Sequence, residues 1–256
     1  MACTIAVAGK GGTGKTTICG MLIDWLCRSG KGPLLAVDAD ANANLNEVLG
    51  VKVERTLGEI REIVAHADSI SPSPIPAGMS KQDYMDYQFS SALIEEDDFD
   101  MLVMGHTQGK GCYCFVNGLL QTEIKKIEGN YKYMVVDNEA GMEHISRGVL
   151  PSVDYLLLVS DCSRRGIQAV ARVAELSEEL KLNPKRTVLI VNRAPGGELN
   201  SGVLEEIAAH GLDLIGVVPQ SDAIYNYDCS GKPTAYLPDS EPSKLAVKEI
   251  AEKLFA

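Results

Sequence analysis

Three groups of residues in this 256-residue chain have the types and spacing to do chemistry. The first is Gly9-Lys10-Gly11-Gly12-Thr13-Gly14-Lys15-Thr16-Thr17. Glycines at this density let a backbone curl with its N–H groups turned toward an anion. The G-x-x-x-x-G-K-T spacing places Lys15 to reach the β- and γ-phosphates of a nucleotide, and the Thr16 hydroxyl to bind Mg²⁺. The second group is a set of aspartates that close apolar runs. Asp38 and Asp40 end Val37-Asp38-Ala39-Asp40 and share a face if the strand continues. Asp137 ends Met134-Val135-Val136-Asp137, the pattern of a carboxylate that holds Mg²⁺ through water. The third group is Cys112-Tyr113-Cys114, behind Gly109-Lys110-Gly111. Two thiols one residue apart can bind one metal ion, or can be plain core cysteines. A closed thiolate site takes four sulfurs, and two chains related by a twofold axis would supply them.

The elements that must position these groups follow from periodicity. Thr4–Ala8 reads as a strand running into the glycine loop. Lys15–Arg28 reads as a helix with Ile18, Met21, Leu22, Trp25 and Leu26 on one side, and Pro33–Val37 as the next strand. Further strands are expected at Asp100–Gly105, Tyr131–Asp137, Tyr155–Ser160, Thr187–Asn192 and Leu214–Val218. Helices are expected at Thr56–Ala65, Phe115–Ile127, Gly166–Leu180, Val203–Ala209 and Ser243–Phe255. Such alternation predicts an α/β fold with a doubly wound, mostly parallel sheet. In that fold the carboxyl ends of the strands are where ligands bind, and the aspartates sit there. The Pro/Ser-rich run Ser69–Ser80 and the acidic stretch after it break the pattern. Residues 66–97 are therefore expected to be an irregular excursion from a single domain spanning 1–256.

Composition narrows the function classes. Hydrophobic residues make up 45% but aromatics only 5%, so the core must be aliphatic, which suits strands buried on both faces. A net charge of -11 lacks the basic footprint that nucleic acid or anionic lipid requires, so neither is an expected partner. The first residues lack a basic leader region, and no apolar run approaches the ~18 residues of a membrane span. A cytoplasmic setting is expected, with the seven cysteines as thiols.

Lys10-Gly11-Gly12-Thr13-Gly14-Lys15-Thr16 resembles the deviant Walker A signature of the superfamily that includes MinD, ParA, the arsenite-pump ATPase and the nitrogenase iron protein. The resemblance implies a P-loop ATPase of the MinD/nitrogenase iron protein type that forms an ATP-dependent homodimer. Lys10 would cross to the other subunit's nucleotide. Gly11 to Thr17 would hold ATP, with Lys15 and Thr16 in the roles above. Asp40 matches a switch I aspartate that activates the attacking water, and Asp38 would lie nearer the magnesium shell. Many relatives carry proline after that aspartate, where this chain has Ala41. Asp137-Asn138-Glu139-Ala140-Gly141 resembles switch II, in which Gly141 senses the γ-phosphate through its N–H. Asn192-Arg193 matches a step whose Asn reads adenine, and Pro219 would border the base pocket.

Cys112-Tyr113-Cys114 together with Asp137-Asn138-Glu139-Ala140-Gly141-Met142-Glu143-His144-Ile145-Ser146-Arg147-Gly148 narrows the resemblance to the CooC-type ATPases, including the acetogenic variant AcsF. These are accessory proteins of nickel carbon monoxide dehydrogenase and of carbon monoxide dehydrogenase/acetyl-CoA synthase. The resemblance implies one nickel or zinc ion held by Cys112 and Cys114 of two chains, with ATP hydrolysis assisting nickel insertion into that client. Two other classes stay open. A positioning ATPase like MinD or ParA needs lipid or DNA, yet Lys244, Lys248 and Lys253 of the last segment face Glu249 and Glu252 in the count. An iron–sulfur scaffold ATPase uses C-x-x-C near the C-terminus rather than C-x-C in mid-chain.

Overall fold

The computed structural model describes residues 2–106, 113–139 and 152–256. Strands that are apolar on both faces need a covering layer on each side, and the chain supplies both. β1 (Cys3–Ala8), β2 (Leu34–Ala39), β4 (Asp100–Val103), β5 (Tyr133–Asn138), β6 (Tyr155–Asp161), β7 (Arg186–Ala194) and β8 (Leu214–Pro219) run parallel. β3 (Ile94–Glu95) adds an antiparallel edge against β4. The 8-stranded order is β3-β4-β2-β5-β1-β6-β7-β8, a mostly parallel α/β sheet as expected.

Alternation along each strand sorts the side chains into two cores. Ala6, Val37, Val136, Leu158 and Val191 face α3 (Leu57–Ala65), α4 (Lys81–Ser90), α5 (Tyr113–Ile127), α6 (Arg164–Glu179) and α7 (Ser201–Ala209). Their neighbours Val7, Ala36, Val135, Leu157 and Ile190 face α1 (Lys15–Arg28), α2 (Leu45–Leu49) and α9 (Pro242–Leu254). α8 (Asp222–Cys229) packs on this second core through Ala223, Ile224 and Tyr227. From β1 the chain moves out to β2 and β4, returns to β5, then steps past β1 to β6. The loops therefore part company around the carboxyl ends of β1 and β5, which is where an open sheet leaves its ligand crevice.

Local chemistry sets the helix starts. Thr56 and Glu59 form a reciprocal capping box at α3, with Glu59 N–H donating to Thr56 Oγ1 at 3.2 Å and Thr56 N–H to Glu59 Oε2 at 2.9 Å. Ser80, Ser163, Asn200 and Ser221 cap α4, α6, α7 and α8. The 66–97 excursion contains more regular structure than its composition suggests. Ser80 ends the Pro/Ser run by starting α4, whose Tyr84, Met85 and Phe89 are buried against the core.

At the opposite end of the sheet an aromatic group ties down the last helix. Phe255 stacks on Trp25 at 5.8 Å between centroids and meets Tyr133 and Tyr155 edge-on at 5.6 and 5.7 Å. Lys31 Nζ lies 5.4 Å from the Phe255 ring centre. Phe255→Ala removes all of these contacts at a half-buried position, so it should cost about 2–3 kcal/mol of stability. Denaturant unfolding followed by the emission of Trp25, the chain's one tryptophan, checks this.

Candidate nucleotide site

β1 ends at Ala8 and α1 begins at Lys15, so the glycine loop is the whole connection between them. Gly14 is the N-cap of α1 at φ 89, a left-handed conformation that L side chains rarely adopt. A Cβ there would also strike Asn192 Nδ2. Among the described residues no side chain caps the helix, so its first N–H groups and positive dipole are left to a ligand, the arrangement of an anion site. The loop's internal acceptor is the Lys10 carbonyl. It takes the Thr13 hydroxyl at 2.9 Å and Lys15 Nζ at 3.3 Å. Lys15 is thus folded back onto its own loop, while the Lys10 side chain is exposed.

Asn192, at the end of β7, straps the loop from outside. Its Nδ2 donates to the Thr13 carbonyl at 2.9 Å, and its Oδ1 accepts the Arg193 N–H at 2.9 Å. Arg193 holds φ 59, uncommon for a residue with a side chain. One N–H and one lone pair of the Asn192 amide thus serve the loop and its neighbour, and one of each is left over.

Asp38 and Asp137 are register neighbours across β2 and β5, 0% and 1% exposed. Burial, then the charge of Asp137, pushes the Asp38 carboxyl up to about 7. Burial pushes Asp137 up to about 6, opposed by the Thr16 hydroxyl, the Lys15 ammonium and the Cys19 thiol. Asp137 Oδ1 is a buried acceptor with no donor among the described residues. Two buried carboxyls, one of them beside the Lys15 ammonium, are short of positive charge there, and the orphaned oxygen is where a cation would be received. Mg²⁺ fits these residues, and Thr16 and Asp137 would hold it. Asp40 stands just beyond, half-buried, with Oδ1 accepting Asn42 N–H at 2.8 Å and Asn42 Nδ2 at 3.1 Å.

The loop and Asp40 open onto one groove of about 1220 Å³, which Lys10, Thr13, Asp38 and Asp137 do not line. Gly11, Gly12, Gly14, Lys15, Thr16, Thr17, Asp40, Asn192, Arg193 and Pro219 all line it. So do residues that sequence reasoning passed over: Asn42 and Asn44 of the loop after β2, Asn46 of α2, and Tyr225, Asp228 and Lys232 around α8. Ser221 ahead of Asp222 was a cap signal that could have revealed α8. Cys112 and Gly141 lie outside the described residues. Cys114 falls in the first turn of α5, and its side chain is outside them as well. Among the described residues no three His, Cys, Asp or Glu side chains gather to hold a metal, and no helix is long and apolar enough to cross a membrane.

The sequence over residues 4–234 matches the CobQ/CobB/MinD/ParA nucleotide binding domain. The chain belongs to that family. It is a P-loop ATPase of the MinD/ParA kind. It is 39% identical to an uncharacterised ATP-binding protein of Methanocaldococcus jannaschii, over 98% of this chain and 97% of that one. It is 31% identical to the carbon monoxide dehydrogenase accessory protein CooC of Rhodospirillum rubrum, over 89% of this chain and 87% of that one. The septum site-determining protein MinD of Pyrococcus horikoshii, solved with Mg-ADP, superposes with a TM-score of 0.71 at 22% identity, covering 99% of this chain and 96% of that one. The fold of that MinD protein is therefore the fold of this chain.

Proposed function

We propose that this ATPase is a maturation factor that binds nickel through Cys112 and Cys114 of two chains and assists its insertion into a carbon monoxide dehydrogenase, alone or within its acetyl-CoA synthase complex. The observation that carries this reading is that β4, the strand that precedes the cysteine stretch in sequence, pairs with β2, the strand that carries Asp38. Cys112 follows β4 in sequence and Cys114 falls in the first turn of α5, and just past the end of β4 the Met104 N–H donates to the Asp38 carbonyl of β2 at 2.9 Å. The Met104 carbonyl in turn accepts the Gly58 N–H of α3 at 2.8 Å. The strand that leads to the cysteine stretch is thus tied to the strand that carries Asp38. The likeness to CooC supports the same reading.

In this mechanism Lys15 leaves the Lys10 carbonyl to take the β- and γ-phosphates, and the N-terminus of α1 receives the rest of their charge. Thr16 and Asp137 would hold magnesium, which would supply neutralising charge to the phosphates. Asp40 orients the attacking water and accepts its proton. The exposed Lys10 side chain reaches the nucleotide of the second chain, and Gly141 reports the γ-phosphate. Asn192, Arg193 and Pro219 border the adenine. Nickel is the cargo, and its affinity and the affinity for ATP are linked reciprocally. The setting is cytoplasmic, with neither nucleic acid nor membrane as partner.

Equilibrium dialysis with nickel and with zinc, with and without ATP, tests the proposal alongside gel filtration. The expected result is one metal per two chains, altered by ATP and lost in Cys112→Ser/Cys114→Ser. Metal binding untouched by that double variant moves the site elsewhere. Absence of metal binding, with ATP-dependent dimers and pelleting on liposomes or DNA, would establish the positioning reading instead.

A further inference from the structure

Asp38 and Asp137 stand level on adjacent strands, equally buried, yet their oxygens are used in opposite ways. Both oxygens of Asp38 accept backbone N–H groups of the loop that follows β2. Oδ1 takes Asp40 N–H at 3.0 Å, and Oδ2 takes Leu45 N–H at 2.9 Å. Asp137 keeps an oxygen with no donor among the described residues. The two amides that Asp38 holds bracket the loop, one at its start and one at the first residue of α2. Inside that bracket the chain closes on itself: Ala43 N–H donates to the Asp40 carbonyl at 3.1 Å, and Ala43 sits at φ 48. Such a conformation persists only where its surroundings enforce it. The enforcing group is the Asp38 carboxylate, since the Asp40 carboxylate takes its two bonds from Asn42, inside the loop.

We infer that Asp38 is a positioning residue, a staple that fixes the switch loop and so aims Asp40, and that the metal-holding role at this pair falls to Asp137 alone. The inference rests on the assignment of Asp40 to the attacking water, and it gives Asp38 a use other than the sequence expectation that it would lie nearer the magnesium shell. A backbone amide is a fixed donor. A carboxylate that satisfies two of them holds the ends of a short loop at a set separation, whichever nucleotide is bound. An oxygen that no donor holds receives a metal more readily, and among the described residues Asp137 Oδ1 is such an oxygen.

The test combines Asp38→Asn with amide hydrogen exchange. Asn has nearly the shape of Asp but turns one acceptor into a donor that faces an N–H group. ATP turnover should fall about 10- to 100-fold, as for loss of orientation rather than loss of the group itself. The ATP dissociation constant and the magnesium concentration for half-maximal turnover should stay within about 2-fold, since neither ligand is released. In nucleotide-free protein the amides of Asp40 and Leu45 should exchange about 10-fold faster or more in the variant. A shift of the magnesium midpoint by about tenfold would make Asp38 a ligand and overturn the inference. So would unchanged turnover with both amides released. If the variant does not fold, wild type decides: the Asp40 and Leu45 amides must be protected well beyond those of the exposed Ala77 and Gly78, and rapid exchange at both overturns the staple. If wild type hydrolyses no ATP, the reading of Asp40 fails while the exchange measurement still judges Asp38.

Discussion

Replacing Asp40 with alanine is expected to lower ATP turnover by about 10²–10⁴-fold, the usual worth of a positioned base, while ATP still binds. The geometry separates the two effects. Asp40 lines the groove but makes its hydrogen bonds with Asn42 and with Asp38, not with the glycine loop. Phosphate-release kinetics and calorimetric titration with ATP check the two halves. Turnover that survives the substitution would remove Asp40 from the chemistry. Binding that fails with it would mean that Asp40 holds nucleotide rather than water.

Lys15→Ala should lose both. Turnover should fall about 10²–10³-fold, comparable with deleting one donor that meets charge developing in a transition state, and the affinity for ATP should drop with it. Lys15 is 7% exposed, and its Nζ is held by the Lys10 carbonyl at 3.3 Å. That ammonium also faces the buried Asp137 carboxyl and partly offsets the cost of its burial. Its removal takes that offset away, so the thermal midpoint should fall modestly. A steep fall in that midpoint would assign Lys15 to the fold rather than to the phosphates.

Much of this site was legible because its signals are local. The glycine loop declares itself within a few consecutive residues, and Asp38 and Asp137 each end a continuous apolar run. The sheet was legible for a related reason: aliphatic strands buried on both faces look alike wherever they occur. What escaped the sequence is non-local or short. The Asn192 strap on Thr13 spans 179 positions, and no spacing rule reaches so far. α2 has 5 residues, too few to show a helical period. α4 buries only Tyr84, Met85, Gln88 and Phe89 among acidic and polar neighbours, so its composition reads as loop. Asp38 shows a different limit. The sequence marked it as a site residue, but whether its oxygens serve a metal or a backbone depends on where Leu45 comes to rest.

The stacking of Trp25 on Phe255 has a consequence for anyone who assays this protein by light. The only indole in the chain sits among Tyr133 and Tyr155, which open β5 and β6, whereas the nucleotide groove lies where those strands close. Strands of 6 and 7 residues put roughly 20 Å between the two ends. Intrinsic emission will thus follow global melting and stay flat through a nucleotide titration. A silent fluorescence trace reports the address of the fluorophore, and occupancy must be read with a labelled nucleotide or by heat.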